Sequence, residues 1–114
     1  MMDHLEYEEI IPVSHSDADA NLTSNDNQLI ARTLIAIGLH DDDWRWVQRH
    51  ALSFLSHKSE LVVSAAILSL AHTARVNRSI DKAAVTTALN AVATDARYVG
   101  KVQDALDDIE VYVK

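Results

Sequence analysis

Two glycines, Gly38 and Gly100, and one proline, Pro12, are all that a chain of 114 residues has for tight turns. Strands must reverse every few residues, and their turns draw on Gly and Pro for dihedral angles that other residues adopt poorly. So small a supply argues strongly against an all-β domain and points to helices joined by short polar loops. Hydrophobic residues make up 48% of the chain and aromatic ones only 5% of it. The interior is therefore built from Ala, Leu, Val and Ile, which suits closely packed helices. The length allows a single domain, residues 1–114, with one modest core.

The spacing of apolar residues predicts five to six helices. Residues 1–13 read as an extended lead-in ending near Pro12. Ser14 or Ser16 can cap a short helix over Asp17–Leu22, with acids in its first turn as the helix dipole prefers. Thr23–Asn27 is a turn, and Asp26 or Asn25 can cap a helix running to about Leu39. Leu29, Ile30, Leu34 and Ile37 recur there at helical spacing, and Gly38 should weaken its end. His40–Asp43 forms a loop whose aspartates can cap a helix over Trp44–His57. Trp44, Val47, Ala51 and Leu55 share its main stripe, so Trp44 is expected inside and Trp46 partly exposed, unless both are buried against neighbouring helices.

A break at Lys58 and Ser59 precedes Glu60–Arg75, which is apolar nearly all round and should be the central buried helix. Asp81 is a plausible cap for Lys82–Thr94, and Asp95 introduces Ala96–Val113, with Val99, Val102, Ala105, Leu106, Ile109 and Val113 on its inner stripe. Val47 matches Val85 38 positions on, and Leu55 and Val62 match Val92 and Val99 37 positions on. A period of this size points to stacked helical hairpins, with a plain antiparallel bundle as the alternative. The expected fold is all-α: a HEAT-like stack of antiparallel helix pairs, two of them, with an N-terminal helical extension.

The formal net charge of −7 disfavours a direct nucleic-acid binder, which needs a basic face to displace counterions from phosphates. An acidic surface suits a basic protein partner instead. With no cysteine, disulfides and thiolate metal sites are excluded. The acidic N-terminus is no secretory signal, and Leu61–Leu70 is too short and too serine-rich for a membrane span. A cytoplasmic protein, with a monomer favoured, is the expectation.

Catalytic signatures are missing. Two isolated glycines build no phosphate loop. Asp17–Asn21 begins like a calcium loop, but Leu22 replaces the required glycine and Gln28 the bidentate glutamate. None of His4, His15, His40, His50, His57 and His72 is spaced from another so as to put two ligands on one turn of a helix. No catalytic residue, cofactor or metal is expected. The dense acidic groups, Asp41-Asp42-Asp43 and Asp104, Asp107 and Asp108, read as helix capping and a solvated helix face, and as possible partner contacts together with Trp46.

The stretch His-Asp-Asp-Asp-Trp-Arg-Trp-Val-Gln (residues 40–48), Ser56–Glu60 and the closing Gln103-Asp104-Ala105-Leu106-Asp107-Asp108-Ile109 resemble segments of small bacterial HEAT-repeat proteins. The resemblance spans about Ala20–Val113 and extends to immunity proteins of polymorphic toxin systems, including contact-dependent growth inhibition. It implies an antitoxin that binds a toxin domain, often a nuclease, and no enzyme. The arginine usual near the start of the second helix of a HEAT pair is absent, with Val62-Val63 and Val99-Gly100 in its place. A cytosolic scaffold or adaptor is the alternative that the residues leave open.

Overall fold

Side-chain oxygens placed just ahead of apolar runs determine where the helices begin. In the computed structural model, which describes residues 10–114, Ser14 Oγ accepts from the Asp17 amide, and Asp26 Oδ1 from the amides of Gln28 and Leu29. Asp43, Ser59 and Asp81 do the same for Trp46, Val62 and Ala84. Each bond satisfies an amide that has no partner within its helix. The helices are α1 (His15–Leu22), α2 (Asn27–His40), α3 (Trp44–Phe54), α4 (Glu60–Asn77), α5 (Lys82–Val92) and α6 (Val99–Tyr112), with a 3₁₀ turn at Ala96–Tyr98. No strand occurs among the described residues. Most of the expected lead-in, residues 1–9, lies outside them, and residues 10–14 carry no helix.

The all-α expectation holds, with adjusted boundaries. Helix α1 starts two residues early because Ser14, not Ser16, caps it. Helix α3 stops at Phe54, where Leu55 and His57 turn to shorter-range bonds with Leu52 and Phe54. Helix α4 continues to Asn77 and closes on Arg78, which adopts the left-handed conformation with φ 57°.

Consecutive helices pack as three antiparallel pairs, α1 with α2, α3 with α4 and α5 with α6. The second members lie side by side, α4 between α2 and α6. They run parallel. Glu60 and Arg97, where α4 and α6 begin, pair at 3.7 Å, and Arg75 and Asp108, near their ends, at 3.9 Å. On the other flank Gly38 meets Ser69, and Asn77 Nδ2 donates to the Asp41 carbonyl at 3.0 Å. The expected N-terminal extension is thus the first helix of a third pair.

Ten residues of α4 are buried, Val62 and Leu70 completely, as its central place requires. Around it Leu34, Ile37, Val47, Val85, Leu89 and Ile109 fill one contiguous core. Each such side chain contributes roughly 1.5–3 kcal/mol through removal from water. One stripe of α4 is left uncovered by the described residues. Leu61 and Leu68 remain 49% and 42% exposed.

Gly38 does something other than weaken a helix end. A Cβ there would lie 2.7 Å from the Ser69 carbonyl oxygen and 2.9 Å from its Cα. Glycine is what lets α2 and α4 approach backbone to backbone. Val99 also departs from expectation, standing 50% exposed. The 3₁₀ turn shifts the register ahead of α6, so that Tyr98, 5% exposed, enters the core instead.

Candidate protein-binding surface

The parallel run of α2, α4 and α6 brings their C-terminal ends to one end of the stack, with the starts of α3 and α5. Both acidic groups belong to that half of the molecule. Asp41–Asp43 link α2 to α3, and Asp104, Asp107 and Asp108 occupy the middle and later turns of α6. Two interhelical spacings separate α2 from α6, so the groups stand on the order of 16–20 Å apart.

Their carboxylates are unequally available. Asp43 caps α3. Asp41 accepts from the Asp43 amide through one oxygen and from His15 Nε2 through the other, both at 2.9 Å. Asp42 faces solvent. Asp107 is exposed and accepts from Gln103 Nε2 at 3.0 Å, Asp104 is exposed, and half-buried Asp108 pairs with Arg75. The capping expected of the first group and the surface position of the second are both present.

Trp46 requires a correction. Its side chain, expected partly exposed, is 7% exposed, while Trp44 is only half-buried, with the Arg45 guanidinium 4.4 Å above its ring. The cause lies outside α3. Helix α1 folds across the flank of α3 and stacks the His15 ring on Trp46, 3.6 Å between centroids and 9° from parallel. His50 meets the same indole edge-on at 4.8 Å and lies 3.6 Å from Asp19. Burial, partly opposed by Asp19, lowers the pKa of His50. Helical periodicity records a residue's own face, not a neighbour's docking.

Between α2 and α6, over the uncovered stripe of α4, runs a groove of about 270 Å³. Leu61, Leu68 and Ile35 line it, and alanines, including Ala65 and Ala105, keep it deep. On the α6 wall stand Lys101, then Asp104 and Asp108. Sequence reasoning missed this feature. Its sign was the excess of apolar residues around α4, which two flanking helices and a backing layer cannot all cover.

Beside the groove's acidic end, Arg75 Nη2 donates to His72 Nδ1 at 2.8 Å. Arginine only donates, so this bond needs the neutral imidazole. Burial, reinforced by the Arg75 charge, holds the pKa of His72 down to about 4 from 6.5. The unfolded chain therefore binds the extra proton first as pH falls. Stability is complete above pH 6.5 and declines toward pH 4. Because the ring still meets solvent, we expect a loss on the order of 1–2 kcal/mol. Urea unfolding at pH 7.5 and pH 5 measures it, and His72→Gln should flatten the difference. An unchanged slope in that variant would assign the acid sensitivity to another group.

Among the described residues no helix is long and apolar enough to cross a membrane, and no three His, Asp or Glu side chains gather as a metal site would need. No protein-family model matches the sequence, and no curated protein matches it. Among solved structures, a chain of the crystal structure of a CDI complex from Cupriavidus taiwanensis LMG 19424 is similar, with a TM-score of 0.81 and 24% sequence identity. The match covers 89% of this chain and 91% of that one. At that identity the likeness is one of fold, and it extends over nearly the whole of both chains.

Proposed function

We propose that this chain is an immunity protein of a contact-dependent growth inhibition system, which binds a toxin domain and blocks it without catalysing a reaction. The observation that carries the reading is the fold held in common with a chain of a CDI complex, at a TM-score of 0.81. The resemblance of residues 40–48 and 103–109 to small bacterial HEAT-repeat proteins, a group that extends to immunity proteins, points the same way. The three helix pairs are then HEAT-like repeats, and the protein acts in the cytoplasm, where an incoming toxin is met.

The toxin is a nuclease, acting on RNA. Such an enzyme must present a positive cleft to its substrate, and a net charge of −7 steers this chain toward it. Asp42, Asp104, Asp107 and Asp108 make the contacts that occlude the cleft. Asp41, Asp43 and Trp46 belong to the same surface by holding its loop in place, Trp46 from a buried position.

The test is co-production with the ribonuclease toxin domain of a contact-dependent growth inhibition system from the same source. Wild-type protein should form a one-to-one complex and restore growth. Alanine at Asp42, Asp104 and Asp107 together should slow association by about tenfold or more at low salt and flatten its salt dependence, because surface charges act mainly on the encounter. Stopped-flow mixing over a range of salt reads both. Full protection and unchanged association in the triple variant would remove these carboxylates from the contact. Death of cells producing the wild-type pair would end the immunity reading.

A further inference from the structure

The acidic groups account for steering, but not for an apolar groove left open on the same side of the molecule. Leu61 and Leu68, 49% and 42% exposed, lie seven residues apart on one face of α4, two helical turns along its axis. An uncovered stripe of this kind costs free energy in water unless something else covers it. The wall supplied by α6 is polarised, with Lys101 at one end and Asp104 and Asp108 toward the other. Asp104 is exposed, and Asp108 pairs, among the described residues, with Arg75 at 3.9 Å. Charge and shape together therefore describe an occupant with an apolar stripe and positive charge at one end.

We propose that the groove between α2 and α6 receives an amphipathic helix of the protein partner, running antiparallel to α4. Two apolar residues seven apart on that helix pack against Leu61 and Leu68. Lysines or arginines in its N-terminal half meet Asp104 and Asp108, and its C-terminal end lies near Lys101. This orientation also sets the positive end of the helix dipole toward the aspartates and the negative end toward the lysine. The inference rests on reading the chain as a protein-binding module, and it adds which element of the partner is held and which way it runs.

Two synthetic helical peptides of about 14 residues, roughly four turns, serve as probes. Both carry leucines seven apart; one has lysines in its N-terminal half, the other glutamates at the same positions. Titrated into ¹⁵N-labelled full-length protein, the lysine peptide should move the amide resonances of Leu61, Leu68, Asp104 and Asp108. It should also bind at least about tenfold tighter than the glutamate peptide. Leu68→Glu should abolish this binding while the melting temperature is kept, since the position is already half open to water. Equal affinity for both peptides, shifts elsewhere on the molecule, or a groove occupied by a second copy in sedimentation would each overturn the proposal. Toxin protection separates the two readings. If wild-type protein and Leu68→Glu both protect, the groove inference falls and the immunity reading stands. If wild-type protein fails to protect, the immunity reading falls and the peptide titration still decides the groove.

Discussion

Trp46→Ala should destabilise the protein by about 3–5 kcal/mol, the range for removing a buried large aromatic side chain. The indole is 7% exposed and meets two imidazoles, stacked on His15 and edge-on to His50. Its loss opens a cavity under α1 and leaves that helix held to α3 chiefly by polar contacts at its rim. Trp44→Ala, two residues away, should cost no more than about 1 kcal/mol, as surface substitutions usually do, because it removes a half-buried ring whose partner is the exposed Arg45. His15→Ala should reproduce only the stacking part of the Trp46 effect, about 0.5–1.5 kcal/mol. Urea unfolding followed by circular dichroism ranks the three. Equal losses at Trp44 and Trp46 would contradict this packing.

The two glycines should answer the same substitution in opposite ways. At Gly100 a Cβ has open space within 4 Å, so Gly100→Ala gains the ordinary helix preference, roughly 0.5–1 kcal/mol. At Gly38 the new methyl carbon meets the Ser69 carbonyl oxygen at 2.7 Å. Two of its three nearest atoms are backbone, so neither a rotamer change nor Ser69→Ala makes room. The helices must separate along their contact. Overpacking of this kind costs about 1–3 kcal/mol, which outweighs the propensity gain. At roughly 4–8 °C per kcal/mol for a domain of this size, Gly38→Ala should melt visibly lower and Gly100→Ala slightly higher. A Gly38→Ala variant as stable as the parent would show that α2 and α4 are not held so close.

These contrasts mark the boundary between what the sequence discloses and what it does not. Caps were legible because the interaction is local. Asp26, Asp43 and Asp81 each stand immediately before an apolar run, and each bonds amides two or three residues on. The central place of α4 was legible because a helix apolar on most sides has to be surrounded. The order of Trp44 and Trp46 was not, since it depends on α1, whose apolar signal is weak and whose seat on α3 is made by His15. The role of Gly38 was equally hidden: a glycine near a helix end looks alike whether it frays the helix or admits a neighbour. Tyr98 and Val99 exchanged places through three residues of tighter helix, a change too short for periodicity to register. As for the surface, the carboxylates could be found by composition. The groove beside them could not, because exposure of Leu61 and Leu68 follows from the width of the layer.

The ring stack on Trp46 has an optical consequence. Indole emission responds to the groups packed against the ring, and the His15 ring is held 3.6 Å from the indole, centroid to centroid. The emission of Trp46 therefore registers whether α1 is seated against it. Replacing Trp44 with phenylalanine would leave Trp46 as the single tryptophan, which can be excited apart from the tyrosines. The seating of the first helix could then be followed in real time, in the free protein or in a complex, without attaching a label.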